Sequence, residues 1–293
     1  MKVTFSILCH NYGRFLAQAI KSTLVQAHPG FDTETIVIDD GSSDETPEVC
    51  REFENAITTI RGPNRGFGHS LTQAVTAASG DYVFLLDADD YLANDKLKVF
   101  APSLQTGAGI VWDRQFVFHA SEKDTEPIVQ HGGNTSTLAI KRKWALSLLP
   151  VENEMAFHVM ARAGHGKELA TAHTYYRLHE NSMTNRHCPE KWYEYLAGVS
   201  FRLADRVAEL STAQSPSAVW LKPETANKIA QDIRANGDFC ELEVNLLRHR
   251  RMQACKSAYR MLMHAMGGKQ GVSVFHLKQL ARALCGRANF RSS

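Results

Sequence analysis

Short apolar runs alternate with longer amphipathic segments through the first ninety residues. Residues 3–8 form a strand-length apolar run, whereas residues 15–25 space Phe15, Leu16, Ala19, Ile20 and Leu24 as a helix would. Residues 35–38 again predict a strand. Ser42, Ser43 and Asp44 then supply a helix cap, Glu45 complements the helix dipole, and Pro47 suits a first turn. Residues 56–60 predict a third strand, 67–78 a third helix and 82–86 a fourth strand. The order is βαβαβαβ with near-continuous apolar strands. That pattern predicts an α/β fold: a Rossmann-like, mainly parallel sheet with helices on both faces.

Beyond residue 87 the rhythm changes. Residues 97–104 predict a helix, 109–118 a strand, 119–137 a polar loop containing Gly132-Gly133, 144–149 and 155–163 helices, and 173–178 a last strand. From about residue 189 strand signals stop, and helices are expected at 192–210, 226–234, 240–266 and 274–284. The expected domains are therefore residues 1–188 and a helical C-terminal region, 189–293. No repeat of solenoid period stands out.

Composition changes the picture at one point. The chain has 293 residues, with 44% hydrophobic and 22% charged positions, ordinary values that argue against disorder. Its net charge of +2 conceals a segregation: residues 244–293 hold ten Lys/Arg and no Asp or Glu, while residues 1–243 carry a net −8. No apolar run reaches the roughly 18–20 residues of a membrane-spanning helix. The N-terminal segment lacks a signal-peptide core, and six scattered cysteines without CxxC spacing suit reduced thiols, so a cytoplasmic location is expected.

In a parallel α/β sheet, ligands bind beyond the carboxyl ends of the strands. Those ends are His10-Asn11-Tyr12, Asp39-Asp40-Gly41-Ser42, Gly62-Pro63-Asn64-Arg65-Gly66 and Asp87-Ala88-Asp89-Asp90. Asp87-x-Asp89 is the sharpest feature, because two carboxylates leaving a strand can converge on one hard divalent cation that keeps phosphate oxygens in its shell. The bland reading is an Asp-rich turn. An apolar strand feeding two acids, after an earlier one ending Asp-Asp-Gly-Ser, favours the cation. Gly66-x-Gly68 does not complete a dinucleotide fingerprint, since the third position falls on Leu71, and it reads as a flexible loop.

With these segments in place, the sequence resembles the family 2 glycosyltransferases of GT-A fold. The resemblance is carried by the residues 6–12, 36–46, 64–66 and 79–90, and later by Tyr176-Arg177-Leu178-His179-Glu180-Asn181-Ser182, in order over residues 3–185. It implies that Asp40 meets the nucleobase of a nucleotide-sugar donor, with His10, Asn11 and Tyr12 beside it, and that Arg65 faces the diphosphate. Asp87-Ala88-Asp89 looks like the DXD motif, with Asp89 on Mn2+ or Mg2+ and Asp87 towards the ribose or the cation's water. His179 is either a further metal or phosphate contact or a structural hydrogen bond.

The implied reaction is transfer of a sugar, most simply from a UDP-sugar, to a hydroxyl with inversion, in bacterial polysaccharide or glycoconjugate synthesis. It needs a carboxylate to accept the hydroxyl proton and positive charge where the leaving phosphate becomes negative. Here the sequence departs from the family. Asn153 stands where the resemblance puts the basic Asp, leaving Glu154 or Glu152 as the base, or a non-catalytic nucleotide-sugar-binding protein. A nucleotidyltransferase would need a glycine-rich phosphate loop that residues 10–14 lack. Residues 131–144, expected to shape the site of a carbohydrate or lipid-linked acceptor, hold no decodable motif.

The basic tail lies outside the resemblance. Leu277, Leu280, Ala281 and Leu284 share one face of the predicted last helix, with Lys278 and Arg282 on another. Such a helix packs on the protein, complements an acidic surface or a second copy in a homo-oligomer, or makes peripheral contact with the inner face of a membrane through residues 244–293. No nucleic-acid-reading module accompanies the charge.

Overall fold

The apolar runs at residues 3–8, 35–38 and 82–86 become strands because they are buried on both sides, while residues 58–61 close the sheet as a largely exposed edge. In a computed structural model, which describes residues 1–120, 126–180, 188–212 and 218–285, the chain begins β1 (Lys2–Cys9), α1 (Gly13–Leu24), β2 (Asp32–Asp39), α2 (Thr46–Glu52), β3 (Thr58–Arg61), α3 (Phe67–Ala77) and β4 (Tyr82–Asp87). These four strands are parallel, in spatial order β3-β2-β1-β4. Along β1 the side chains alternate between faces. Val3, Phe5 and Ile7 enter a core with Leu16 and Ile20 of α1, whereas Ser6 Oγ donates to Ala74 O of α3. Helices thus cover both faces, as the pattern predicts.

The sheet then changes direction. β5 (Tyr91–Leu92), α4 (Lys96–Gln105), β6 (Ile110–His119), β7 (Ile128–Gln130), β8 (Leu138–Lys141), α5 (Arg142–Leu148), α6 (His158–Met160) and β9 (Gly166–Leu178) follow. β8 lies antiparallel to β4, β6 antiparallel to β8, and β9 parallel to β6. The polar stretch expected as a loop over 119–137 therefore contains β7 and leads into β8, although residues 121–125 fall outside the described set. The helix expected over 155–163 is instead a 3-10 turn (Glu154–Ala156), the short α6 and a π turn (Ala161–His165). Its apolar spacing was genuine, since Ala156, Phe157, Val159 and Met160 are buried, but Gly164 at φ 94° ends it.

The chain divides into two compact units, Met1–Ser182 and Met183–Ser293. The second comprises α7 (Pro189–Thr212), α8 (Pro223–Leu247), α9 (Arg251–Gly267) and α10 (Val274–Cys285). Two expected helices, 226–234 and 240–266, are corrected here. α8 runs through Gly237, and the second segment breaks at His249, whose φ is 56°. Part of the basic tail is neutralised within this unit: Asp238 takes Arg260 Nε at 2.9 Å and His264 Nδ1 at 2.6 Å, Glu243 takes Arg282 at 2.7 Å, and Glu190 takes Arg248 at 2.7 Å. Among the described residues no helix is long and apolar enough to cross a membrane.

Candidate active site

The parallel register brings the polar strand ends together. Cys9 pairs with Asp39 and Leu8 with Asp87, so the segments after β1, β2 and β4 leave the sheet side by side. Asp39 stays in the sheet's edge, accepting Ser42 N–H at 2.8 Å and facing Arg61 Nε at 3.2 Å. Gly41 turns at φ 74°, and a Cβ there would sit 2.6 Å from Asn64 N, so only glycine lets this turn touch the loop after β3. Asp40 holds that loop: its two carboxylate oxygens accept the N–H groups of Arg65 and Gly66, each at 2.8 Å. The Arg65 side chain is exposed.

His10 closes the same corner. Its Nδ1 lies 2.9 Å from Asp40 O, and a carbonyl only accepts, so Nδ1 carries the proton. Nε2 is then the acceptor for Asn64 Nδ2 at 3.0 Å. Asn11, at φ 59°, accepts Ser43 N–H at 2.8 Å. Asp44 bonds the first N–H of both α1 and α2, through Gly13 at 2.9 Å and Thr46 at 3.0 Å. The cap expected for α2 thus serves two helix N-termini, where an anion is favoured.

The turn after β4 is anchored from three sides. Ser136 Oγ accepts Asp87 N–H at 3.0 Å and donates to Asp90 Oδ2 at 2.6 Å. Asp90 Oδ1 accepts Arg177 N–H at 2.9 Å, and Arg177 Nε donates to Asp89 O at 2.7 Å. The Arg177 guanidinium also lies over the rings of Phe15 at 4.5 Å and Phe118 at 4.9 Å. Beneath, the fully buried Lys96 donates to Asp113 Oδ1 at 3.2 Å, to Ser136 O at 3.0 Å and to Thr174 Oγ1. Ser136, Arg177, Lys96 and Asp113 were not among the expected site residues. Asp113 carried a signal, because it occupies a buried position in the alternating pattern of β6.

Negative charge collects at this turn. Burial first, then Asp89, Asp90 and Glu154, push the Asp87 carboxyl well above its ordinary range, and burial with Asp89 does the same to Asp90. Burial, then Asp89 and Asp87, raise the Tyr12 phenol to about 12. Glu154 is therefore part of the cluster. Glu152 is exposed and its backbone packs against Gly68, where a Cβ would lie 2.7 Å from Glu152 Cα. Gly68 sits in the first turn of α3 rather than in a flexible loop. Asn153 is buried and caps the 3-10 turn, its Oδ1 accepting Met155 N–H at 2.7 Å.

A divalent cation fits these residues. His179 Nε2 lies 3.0 Å from Asp89 Oδ2, with its ring wedged against Tyr12 at 5.4 Å and Phe15 at 5.1 Å. That separation is close to the ~3 Å edge between adjacent ligands of an octahedron with ~2.1 Å bonds. Among the described residues no three His, Cys, Asp or Glu side chains surround one point. The donor set is thus one carboxylate and one imidazole, with room for the phosphate and water oxygens a hard divalent cation keeps, and a cation there would relieve the carboxylate repulsion. Asn181 and Ser182 lie outside the described residues.

Comparison with known proteins identifies the family and the fold. The sequence profile of glycosyl transferase family 2 matches residues 4–159. An uncharacterized glycosyltransferase of Nostoc sp. is 27% identical over 212 residues, covering 61% of this chain and 65% of that protein. The match spans 16–33% of the next three curated relatives. In three dimensions the chain resembles S. aureus TarS 1–349 in complex with UDP-GlcNAc (TM-score 0.65, 16% identity, 98% of this chain and 88% of that one). It also resembles the glucosyl-3-phosphoglycerate synthase of Mycobacterium tuberculosis in complex with Mn2+, UDP and phosphoglyceric acid (TM-score 0.50, 18% identity, 67% and 78%). The fold expected from the sequence, a GT-A sheet with a C-terminal helical region, is the one observed.

Proposed function

The chain belongs to glycosyl transferase family 2, and we propose that it moves a sugar from a nucleoside diphosphate donor, a UDP-sugar, to a hydroxyl acceptor with inversion. The observation that carries this reading is the acidic turn at the end of β4, where Asp89 meets His179 at 3.0 Å and the Asp87 carboxyl is raised by Asp89, Asp90 and Glu154. The UDP and UDP-GlcNAc complexes of structurally similar proteins support the choice of nucleotide.

In this reading His10, Asn11, Tyr12 and Asp40 form the wall beside the base. Asp40 spends one lone pair of each oxygen on the Arg65–Gly66 backbone, which leaves carboxylate capacity for the base and presents the Arg65 guanidinium to the diphosphate. Asp89 and His179 would hold Mn2+ or Mg2+, and Asp87 would order the ribose or the cation's water; a bound cation would supply positive charge where the leaving diphosphate becomes negative. Glu154 accepts the acceptor hydroxyl's proton as the new C–O bond forms and the bond to phosphate breaks, its electron pair leaving with the diphosphate. Glu154 rather than Glu152 is given this role, because Glu154 is half-buried and raises the Asp87 carboxyl, whereas Glu152 is exposed. Tyr12 remains a neutral phenol at pH 7, a donor able to face phosphate oxygens. The acceptor is a carbohydrate or a lipid-linked sugar of bacterial surface polymer synthesis, and the reaction belongs in the cytoplasm, where all six thiols stay free.

Asn153 favours a second reading, a nucleotide-sugar-binding protein without turnover, since its amide stands where the family's base is expected and serves as a cap. Donor turnover separates the two. With Mn2+ and a panel of UDP-sugars and acceptors, Glu154→Gln should lower turnover about 10²–10⁴-fold without weakening UDP binding. Glu152→Gln should stay within about twofold. Loss of turnover in Glu152→Gln alone transfers the base to Glu152, and wild type that binds UDP but never turns over establishes the second reading.

A further inference from the structure

Helix α9 buries Ala254, Ser257, Ala258, Met261 and Ala265. Met252, Lys256, Tyr259, Met263 and Met266 point outward. Recurring every three or four residues, these outward positions fall within an arc of about 80°. The four apolar ones are 47–71% exposed. Helix α10 repeats the arrangement: Val274, Leu277 and Leu284 are 54–66% exposed on one side, with Ala281 between them and Lys278 alongside. A helix facing only water has no use for such stripes, and scattered apolar residues would not align so.

Charge identifies the occupant. No acid lies between residues 244 and 293. Arg248, Arg260 and Arg282 are satisfied by acids of α7 and α8. Lys256, set in the α9 stripe, and Lys278, flanking the α10 stripe, have no ion pair among the described residues and are exposed. A second copy packing face to face would set these lysines against each other with no carboxylate to separate them. An anionic lipid surface answers both properties, taking the apolar side chains into the headgroup boundary and the ammonium groups against lipid phosphates.

We propose that the outward faces of α9 and α10 dock on an anionic lipid bilayer, with Met252, Tyr259, Met263 and Leu277 entering the interface and Lys256 and Lys278 binding headgroup phosphates. The docking is independent of glycosyl transfer, because it is read without donor or acceptor.

The full chain is sedimented with vesicles of phosphatidylcholine containing phosphatidylglycerol and with phosphatidylcholine alone. Wild type should bind the anionic vesicles at least about tenfold more tightly. Lys256→Glu/Lys278→Glu should remove that preference, and Met263→Glu/Leu277→Glu should abolish binding altogether, with unchanged circular dichroism in both. The proposal is overturned if wild type binds neither vesicle or if both variants bind as wild type does. It is equally overturned if light scattering reveals a dimer that Met263→Glu/Leu277→Glu disrupts while vesicles go unbound.

Discussion

Replacing Ser136 by alanine tests whether the carboxylate turn is held from beneath. The side chain is fully buried, and its hydroxyl joins two groups of the turn, donating to Asp90 Oδ2 at 2.6 Å and accepting Asp87 N–H at 3.0 Å. Losing the bond to this carboxyl costs about 0.5–3 kcal/mol, and stranding a buried N–H costs about 1–3 kcal/mol. Asp90 keeps its bond from Arg177 N–H, so the lower half of the combined range, about 3 kcal/mol, is the expected loss. The readout should be local, since a chain of two units need not unfold in one step. Hydrogen exchange of a peptide covering residues 83–92 should quicken about 100-fold, at one decade per ~1.4 kcal/mol. UDP binding in Mn2+ should weaken as Asp89 loses its fixed backbone. Exchange within about threefold of wild type would mean that Ser136 merely fills space, and the reasoning would be refuted.

Other consequences are equally direct. Lys96→Met leaves the fully buried Asp113 carboxylate without its cation and should cost about 3–5 kcal/mol. Calorimetry should find that loss, and the double variant Lys96→Met/Asp113→Leu should recover much of it. Glu34 offers a pH signature: partial burial opposes its ionisation, but bonds from Lys2, Ser79 and Thr4 win and lower it from 4.5 to about 2. An acid depressed by folding contributes stability above its unfolded value and loses it as pH falls towards the folded one. Glu34→Gln should therefore be about 1–2 kcal/mol less stable than wild type at pH 7, after allowance for solvent screening. In urea titrations that gap should close progressively below about pH 4.5; a gap independent of pH would contradict the assignment.

The parallel half of the sheet was legible because β1, β4 and the end of β2 are buried on both faces and so appear as unbroken apolar runs, each followed by polar residues at one rim. Asp40, Asp87 and Asp89 stood out as candidates for that reason, whereas His179, which follows β9, was offered only by the order of the motifs. The antiparallel half was harder. β7 and β8 hold three and four residues, too few for a period to register, and their pairing is decided by β6 and β4 rather than by local preference. The different exposure of Glu152 and Glu154 arises in a turn whose geometry depends on the Asn153 cap and on the contact of Gly68 with Glu152, neither of which the sequence announces. Lys96 beside Asp95 reads as an ordinary exposed pair, and only the fold buries it. The break between α8 and α9 has no Gly or Pro to announce it, since the left-handed residue is His249.

The central claim is that Asp89 and His179 hold a divalent cation on which a nucleoside diphosphate sits. Calorimetric titration of UDP with and without Mn2+, for wild type and Asp89→Asn, measures it most directly. Wild type should bind UDP at least about tenfold more tightly in Mn2+, and Asp89→Asn should lose that gain while remaining folded. Equal UDP affinity with and without the cation in wild type, or an undiminished gain in Asp89→Asn, would contradict the account.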